Sequence, residues 1–431
     1  MDHARNKLVS VFILLLSLTS CTSRTPEEWL VNHLEEKYAN LYVNGEPAKR
    51  AVIQELKTYF VDHKLNDENI DEVKKIIHKI GDGHVVIFDD RKEKNLHYTS
   101  GIVFFPGSNF IKDCDSCKPA LKSDVWQIEE INNISLHDYL EKNKYSVAAS
   151  TPRARDFRVL RGLQENTWRP EISLKLKSMK GKIITTSVSW IDPVKSAPDC
   201  VRGVRINENT FKIIVSSLWC EDSSKGNQDR LQIYENFRNQ FNQAINEATQ
   251  SDRIILDLRE NGGGGDYEVE YVLNAFFSKS VFMYHYKYLR KTEPGKRKHL
   301  EKYWPFKLDV WAKDEFQYTE LSHKPKKQFY DNKVTTLISP GCFSSCETIA
   351  STLKLEKRSK LIGSLTHGGS GDPVIFSVTG THYSINLPAC VTWQENNEYF
   401  EGVGVAPDLT VSQNHNSLED DVLNAAIDPV R

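Results

Sequence analysis

A serine in the second half of the chain lies where a predicted strand turns into a predicted helix. Val334–Ser339 is β-branched or apolar except for its last residue, which is typical of a buried strand. The spacing of Ile349, Ala350 and Leu353 predicts one face of a helix that begins close to Ser344. A fixed hydroxyl beside the free N–H groups of a helix N-terminus suits acyl transfer. On this stretch alone, capping the helix is the commoner role of such a serine.

A run of four glycines, Gly262–Gly265, follows another predicted strand. Glycine lets the backbone turn tightly and approach a ligand closely. A dinucleotide-binding loop needs a G-x-G-x-x-G spacing, and a P-loop needs Gly-Lys-Ser/Thr; the sequence here fits neither. The remaining use of the run is to present backbone N–H groups to an oxyanion.

Three motifs together resemble the tail-specific, or C-terminal processing, serine peptidases. They are Asp257-Leu-Arg-Glu-Asn-Gly-Gly-Gly264, Ser344-Ser-Cys-Glu347 and Val403-Gly-Val-Ala-Pro-Asp408. The resemblance covers residues 205–412, with support from residues 25–90, and implies a ClpP/crotonase-like core that hydrolyses peptides or unfolded proteins. By the family pattern Ser344 is the nucleophile. The N–H groups of Gly262, Gly263, Gly264 and Ser345 would then form the oxyanion hole.

The general base separates two branches of that family. In the Ser/Lys branch a downstream lysine is the base, and this chain has Gly369 at that position. The other branch resembles the core of tricorn protease and interphotoreceptor retinoid-binding protein, in which an upstream Asp-Gly-His motif supplies a histidine and a late glutamate orients it. The matching residues are His84 and Glu401. This resemblance implies a Ser344–His84–Glu401 triad with an acyl-enzyme, and no metal or organic cofactor.

Alternatives to this triad remain open. His367, in the segment that replaces the lysine, is a second candidate base. His84 follows an Asp-Gly turn, where exposed polar residues are common, and Glu401 could be a solvated carboxylate. The alternative function is a catalytically inactive lipoprotein that binds apolar ligands or peptides, since fold alone does not fix function. If His84 is the base, a carboxylate partner raises its pKa, and we expect activity to begin near neutral pH.

The first 21 residues have the pattern of a targeting segment. Arg5 and Lys7 precede an apolar stretch at Leu8–Leu16, which is too short to span a bilayer. Leu18-Thr19-Ser20-Cys21 then resembles the lipobox of bacterial lipoproteins, which implies lipidation of Cys21 and attachment to a membrane. We expect a location in the bacterial cell envelope, on the outer membrane and facing the periplasm. An ordinary cleaved secretion signal is the alternative.

The charge balance argues against a nucleic-acid-binding protein, and the number of cysteines limits how they can pair. The 431 residues include 56 Lys and Arg and 58 Asp and Glu, so there is no basic field to attract nucleic acid. Seven cysteines follow Cys21, and this odd number leaves at least one of them unpaired. Cys114 and Cys117 are predicted to form either a local disulfide or two thiols, since no further pair with zinc-ligand spacing follows them.

The pattern of predicted elements indicates a multi-domain α+β protein with an α/β core. Strands that alternate with helices predict a mixed, largely parallel sheet flanked by helices. The predicted organisation is a signal peptide at 1–21, a helical domain at 22–95, a β-rich segment at 96–200, the peptidase core at 201–412 and a C-terminal helix at 413–431. The β-rich segment is either a PDZ-like, peptide-binding module or a β-insert without that role.

Overall fold

The computed structural model describes residues 24–428 apart from 43–44, 92–97, 115, 119–120, 122–123, 167–170, 191–198, 222–227, 280, 282, 284, 289–329, 395–398 and 415–416. The predicted signal peptide and Cys21 therefore lie outside the described residues. Among the helices of the described part, none combines the length and the apolar character that a membrane span requires.

The N-terminal part is built from three helices. They are α1 (Pro26–Lys37), α2 (Glu46–Asp62) and α3 (Ile70–His78), with a 3₁₀ turn at Ala39–Tyr42 between the first two. The start of α1 is fixed by a capping box between Thr25 and Glu28. After α3 the chain turns through Gly81 and enters strand β1 (Val86–Asp89).

The next part is an antiparallel sheet with two helices. Its elements are β2 (Tyr98–Thr99), β3 (Ile102–Phe104), β4 (Phe110–Cys114), β5 (Cys117–Lys118), β6 (Trp126–Ile131), β7 (Ile134–Ser135), α4 (Leu136–Lys142), α5 (Pro152–Arg161), β8 (Glu165–Asn166), β9 (Ile172–Ser178) and β10 (Ile183–Val188). The main sheet has the order β3-β4-β6-β9-β10-β5. The turn between β6 and β7 places both Asn132 and Asn133 in the left-handed region, which asparagine tolerates.

The remaining elements form the α/β part of the molecule. They are β11 (Val201–Asn207), β12 (Thr210–Val215), α6 (Arg230–Ala248), β13 (Arg253–Asp257), α7 (Asp266–Asn274), β14 (His285–Tyr288), β15 (Lys333–Ile338), α8 (Ser345–Leu355), β16 (Ser359–Gly363), β17 (Pro373–Ser377), β18 (Tyr383–Pro388), β19 (Cys390–Trp393), β20 (Leu409–Thr410) and α9 (Asp421–Ile427).

A six-stranded sheet lies at the centre of this part, in the order β11-β12-β13-β15-β16-β20. Every neighbouring pair is parallel except β11 with β12, which confirms the predicted largely parallel sheet. Side chains alternate between its faces: Ile254 and Leu256 pack with α6, α7 and α8, whereas Ile255 packs with α9. Since β13 and β15 are parallel neighbours, their carboxyl ends bring the glycine run and the Ser344 turn side by side.

A second, three-stranded sheet joins the two ends of the chain. Its order is β1-β18-β17, and β1 pairs antiparallel with β18, with Val86 opposite Asn386. Apolar residues of α1, α2 and α3 share one hydrophobic core with β17 and β18. This pairing carries the segment just before β1, which contains His84, to the α/β part of the molecule.

Three disulfides lie within the described residues: Cys114–Cys117, Cys200–Cys220 and Cys342–Cys346. The first resolves the sequence alternative in favour of a local disulfide. Cys390 is a buried free thiol, in agreement with the odd number of cysteines. The third bridge encloses Ser344.

A buried ion pair fixes the base of the glycine run. The Arg259 side chain is 1% exposed and forms two hydrogen bonds with the Asp257 carboxylate at the end of β13. It forms two more with Asp420, the N-cap of α9. The arginine of the Asp257-Leu-Arg motif thereby ties the loop to the C-terminal helix, which packs on the other face of the sheet.

Candidate active site

The candidate nucleophile occupies a left-handed turn between β15 and α8. Ser344 has φ 58° and ψ −125°, which costs a non-glycine residue about 1–3 kcal/mol and persists only where neighbours enforce it. Its N–H donates to Glu347 Oε2 at 3.2 Å, and the preceding N–H, of Phe343, donates to the Asn261 carbonyl oxygen at 3.0 Å. The hydroxyl is therefore held in a fixed position relative to the glycine run.

His84 reaches that hydroxyl from the N-terminal part of the chain. Its Nε2 lies 3.0 Å from Ser344 Oγ, and its ring stacks on the Phe343 ring with centroids 4.3 Å apart. The side chain is buried, which excludes the alternative of an exposed loop histidine. At Gly83, a Cβ atom would lie 2.9 Å from Phe343 and from His367 Nε2. The glycine of the Asp-Gly-His motif therefore makes room for the stacked rings.

Two carboxylates lie close to the imidazole. Asp82 Oδ1 is 4.0 Å from His84 Nδ1 and accepts the His84 backbone N–H at 2.9 Å. One nitrogen of His84, one oxygen of Asp82 and one oxygen of Glu401 all lie within 4.8 Å of one another. Both carboxylates are buried, at 1% and 2% exposure, so Glu401 is not a solvated surface residue. Negative charge at this place favours a protonated imidazole during proton transfer.

The N-terminal helices supply the groups that hold these carboxylates. Asp82 Oδ2 accepts a hydrogen bond from the Tyr38 hydroxyl at 2.9 Å and from Asn40 Nδ2 at 3.0 Å, and the same amide lies 3.5 Å from Glu401 Oε2. Lys49, on α2, is 5% exposed and donates to the Asn40 carbonyl oxygen at 2.7 Å. A buried ammonium group thus partly offsets the charge of the two buried carboxylates.

Glu347 organises the other side of the nucleophile. Besides the Ser344 N–H, its carboxylate accepts the Gly368 and Gly369 N–H groups at 2.8 Å each and the Thr366 hydroxyl at 2.5 Å. The side chain is fully buried, and this burial raises its pKa to about 7. One carboxylate therefore joins the nucleophile turn to the loop that follows β16.

The same loop contains Gly369, the position at which the Ser/Lys branch of the resembled family has its lysine base. A Cβ atom on Gly369 would lie 2.1 Å from the Phe343 ring, so no side chain fits there without rearrangement. His367 is 1% exposed, and its Nδ1 lies 3.2 Å from the Pro340 carbonyl oxygen. Its ring packs beside Phe343, with centroids 4.2 Å apart. Within the described residues, the hydrogen-bond partner of Ser344 Oγ is His84.

The glycine run lies against the nucleophile turn. A Cβ atom on Gly263 would lie 2.7 Å from the Phe343 carbonyl oxygen and 2.9 Å from Ser344 Cβ, so only glycine fits. The Gly263 N–H already donates to Asn261 Oδ1 at 2.8 Å. The Ser345 hydroxyl donates to the Gly264 carbonyl oxygen at 2.8 Å, which fixes the loop to the first residue of α8. The Ser345 N–H lies in the first turn of that helix, where amides lack intrahelical partners.

Burial decides the basicity of the two histidines. Removal from water lowers the pKa of His84 to about 4, although the Asp82 charge opposes this change, and the Arg158 guanidinium lowers it further. The expectation of a raised pKa is therefore wrong, because desolvation outweighs the carboxylate. Burial and the same arginine lower the pKa of His367 well below its usual value. Arg158 lies 4.5 Å over the Phe343 ring and donates to the Gly83 carbonyl oxygen at 3.2 Å.

Two groups in the described part of the chain have side chains of the types that ligate metals. One is Asp82, His84 and Glu401, in which both carboxylates accept hydrogen bonds from neighbouring groups and His84 Nε2 lies 3.0 Å from Ser344 Oγ. The other is Asp67, Asp89 and His382, where the Arg91 guanidinium binds both carboxylates. A guanidinium in that position takes the place that a cation would need, so the second group does not fit a metal ion.

The structure thus brings Ser344, His84 and Glu401 to one place, with the glycine run and Ser345 beside them. Sequence reasoning missed five residues that support them: Tyr38, Asn40, Lys49, Ser150 and Arg158. Asp82 was part of the quoted motif, but its closeness to the imidazole was not foreseen. The sequence around a lysine or an asparagine does not indicate that the side chain is buried. The positions of Asn40 and Lys49 in the site follow from the long-range pairing of β1 with β18.

Comparison with known proteins gives a family for the core. Residues 229–411 match the model of peptidase family S41. This range includes the glycine run, Ser344 and Glu401, whereas His84 lies before it. A comparison with curated protein sequences gives no match.

Solved structures with the same fold cover almost the whole chain. The structure of mature CPAF complexed with lactacystin aligns with a TM-score of 0.65 at 14% sequence identity, over 94% of this chain and 96% of that one. A candidate peptidase from Parabacteroides merdae aligns with a TM-score of 0.51 at 13% identity, over 94% and 96% of the two chains. At these identities the likeness concerns the fold, and the fold extends to the N-terminal helices that position His84.

The buried environment of His84 predicts the pH range in which its imidazole is neutral. Because burial and Arg158 lower its pKa to about 4, we expect the ring to be neutral, and able to accept a proton, from neutral pH down to about pH 5.5. Histidine-labelled protein followed by NMR from pH 8 to 4.5 should show this resonance still neutral at pH 5.5. Its assignment comes from the spectrum of His84→Gln. A midpoint at or above 6.5 would contradict the account.

Proposed function

We propose that this chain, whose residues 229–411 match the model of peptidase family S41, is a serine peptidase that hydrolyses peptide bonds by a Ser-His-Glu mechanism. Ser344 is the nucleophile, His84 the general base and Glu401 the carboxylate that stabilises the imidazolium. The observation that carries the proposal is the 3.0 Å contact between Ser344 Oγ and His84 Nε2, with two buried carboxylates beside the same ring.

The reaction follows from these positions. His84 Nε2 takes the proton as Ser344 Oγ attacks the peptide carbonyl carbon, and the imidazolium then protonates the departing amine. A water molecule enters in its place, gives its proton to His84 and attacks the acyl-enzyme. The C–O bond to Ser344 breaks, the hydroxyl regains the proton, and the new carboxyl end leaves. Only side chains, backbone amides and water take part in these steps.

The oxyanion that forms in both steps needs donors beside the nucleophile. The resemblance in sequence implies the amides of Gly262, Gly263, Gly264 and Ser345. Because the Gly263 N–H donates to Asn261 Oδ1, we assign the oxyanion hole to the Ser345 N–H and the N–H groups of Gly262 and Gly264. Gly263 then has a supporting role, since its lack of a Cβ atom allows the loop to lie on the turn.

Glu401 and Asp82 have different tasks in this proposal. Asp82 is held by the His84 backbone N–H, Tyr38 and Asn40, so its oxygens are committed to shaping the turn. Glu401 accepts from the Ser370 N–H at 3.2 Å and from the Ser150 hydroxyl. Burial and the nearby Asp82 charge raise the pKa of Glu401. A carboxylate with a raised pKa gains most when a positive imidazolium forms next to it, which is what proton transfer produces.

We also propose that the substrates are peptides or unfolded proteins outside the cytoplasm and that the enzyme is anchored there through Cys21. The lipobox-like Leu18–Cys21 sequence supports the anchor. Three disulfides in the described part of the chain support an oxidising compartment. An outer-membrane position facing the periplasm remains our expectation for the location.

The nucleophile assignment is tested by labelling. Ser344→Ala should abolish reaction with a fluorophosphonate probe and lower peptide hydrolysis by about 10⁶-fold, because members of such a relay act as a unit. Ser377→Ala, an exposed hydroxyl on β17, is the matched control and should label like the wild type. Peptide mapping identifies the modified residue. Labelling that survives Ser344→Ala, or that maps to Ser345 in the wild type, contradicts the assignment.

The base is tested by a set of single variants assayed on a peptide substrate. His84→Ala should cost about as much as loss of the nucleophile, and Glu401→Gln about 10⁴-fold, since orientation partly survives. His367→Ala should retain most of the activity if that ring only supports Phe343. His63→Ala removes an exposed imidazole just after α2 and serves as the control. Loss of activity in His367→Ala, with near-full activity in His84→Ala, would make His367 the base.

The anchor is tested by changing its attachment point. Cys21→Ser should stop incorporation of radiolabelled palmitate and move the protein from the detergent phase to the aqueous phase, or leave its precursor unprocessed. Ser23→Ala keeps the cysteine and should behave like the wild type. If the Cys21→Ser protein is processed and partitions into detergent as before, the anchor lies elsewhere.

A further inference from the structure

The nucleophile lies at the midpoint of a small disulfide ring. Cys342 and Cys346 are bridged, with a sequence separation of 4, and Ser344 is the central residue between them. Both sulfur-bearing side chains are fully buried in the hydrophobic core of the α/β part. The other two bridges in the described part of the chain, Cys114–Cys117 and Cys200–Cys220, enclose none of the proposed catalytic residues.

The small size of the ring indicates the role of the Cys342–Cys346 bridge. A disulfide stabilises the whole fold mainly by restricting the unfolded chain, and this effect grows with the length of the closed loop. The Cys342–Cys346 bridge closes a very short loop, whereas Cys200–Cys220 has a separation of 20. We therefore expect the longer bridge to contribute more to overall stability. The short bridge acts mainly on the backbone between its two cysteines.

That backbone is the part of the site that needs restraint. Ser344 has a positive φ, which an unrestrained serine leaves easily. On one side of it, the Cys342 N–H donates to the Ser339 carbonyl oxygen at 3.0 Å, and the Cys342 carbonyl oxygen accepts the His367 N–H at 3.0 Å. On the other side, the Cys346 N–H donates to the Phe343 carbonyl oxygen at 3.2 Å. The bridge connects the end of the loop after β15 to the first turn of α8.

We propose that the Cys342–Cys346 disulfide is a positioning element for the nucleophile, and that the enzyme is fully active only when this bridge is formed. The inference rests on the proposed role of Ser344. With both thiols free, the Glu347 contact still holds the Ser344 N–H, but the turn can relax and the hydroxyl loses its fixed distance from His84 Nε2. Small displacements of a nucleophile from its base have large effects on rate.

The chemistry of the change is thiol–disulfide exchange. A dithiol reductant such as dithiothreitol gives two electrons and two protons to the bridge, so that the S–S bond breaks and two cysteine thiols form. The dithiothreitol closes its own ring disulfide. Oxidised glutathione reverses the reaction: it takes the two electrons, the bridge forms again, and two molecules of reduced glutathione leave.

Paired substitutions test the proposal. In Cys342→Ser/Cys346→Ser, and in the more apolar Cys342→Ala/Cys346→Ala, we expect the fluorophosphonate labelling rate and kcat to fall about tenfold or more, with KM within about twofold of the wild type. The control is Cys200→Ser/Cys220→Ser. It should lower Tm more than the first pair does, while its labelling rate at 25 °C stays within about twofold of the wild type. A bridge with a purely structural role would lower Tm without changing the labelling rate of folded protein.

Reversible reduction of the wild type gives an independent test that needs no substitution. Because both sulfur atoms are buried, the protein is incubated with dithiothreitol until mass spectrometry shows that the Cys342–Cys346 bridge is open. Its labelling rate should then fall to that of the variant with an unchanged far-ultraviolet circular dichroism spectrum, and oxidised glutathione should restore it. Mass spectrometry identifies which bridge is open. The Cys342→Ser/Cys346→Ser protein should not respond to either reagent.

The outcomes separate this inference from the proposed function. If folded protein with this bridge absent or open labels Ser344 at the wild-type rate, the bridge does not position the nucleophile. If both variants fail to fold, or if reduction removes labelling and circular dichroism together, the bridge is only structural and the inference is wrong. If the oxidised wild type does not label at Ser344 at all, the proposed function fails instead.

Discussion

The contact between Ser344 Oγ and His84 Nε2 joins residues that are 260 positions apart in the chain. Two strand pairings must be in register for it to form. The parallel pairing of β13 with β15 sets the nucleophile turn beside the glycine run, and the antiparallel pairing of β1 with β18 brings His84 to the same place. A shift of one residue in either pairing would turn every side chain of the strand to the other face. The large hydrophobic cores on both sheets serve to hold these two registers.

The second constraint is the charge that this contact buries. Asp82, Glu401 and Glu347 are almost fully removed from water, and so are Lys49 and the two histidines of the site. Buried charge is tolerable only where hydrogen bonds and opposite charges surround it. Here the hydrogen-bond donors and positive charges come from the N-terminal helices, from Arg158 on α5 and from the loop after β16, so no single part of the chain contains all the groups of the candidate site. The fold shared with CPAF extends over 94% of the chain, whereas the family match covers residues 229–411.

Much of this architecture was predictable, because it follows local patterns. The spacing of apolar residues predicts the strands and helices of the α/β core, and the capping-box sequence is typical of the start of a helix such as α1. The motifs gave Ser344, His84 and Glu401 as candidates. Three features were not predictable for physical reasons. The supporting residues Asn40 and Lys49 are polar, as surface residues are, and their burial depends on the pairing of β1 with β18. The pKa of His84 depends on desolvation, which a carboxylate neighbour in the sequence does not reveal. The Cys342–Cys346 pairing could not be derived from the number of cysteines alone.

The most direct measurement of the central claim is a crystal structure of the enzyme after reaction with a fluorophosphonate. The account predicts a phosphorus–oxygen bond to Ser344 Oγ, with the phosphonyl oxygen about 2.7–3.1 Å from the Ser345 N–H and from a glycine-run N–H. It also predicts that His84 Nε2 stays next to the modified oxygen, and that Asp82 and Glu401 stay beside the ring. A phosphonate bound to another residue would contradict the account. So would an adduct at Ser344 whose phosphonyl oxygen points away from these amides while His84 lies out of contact.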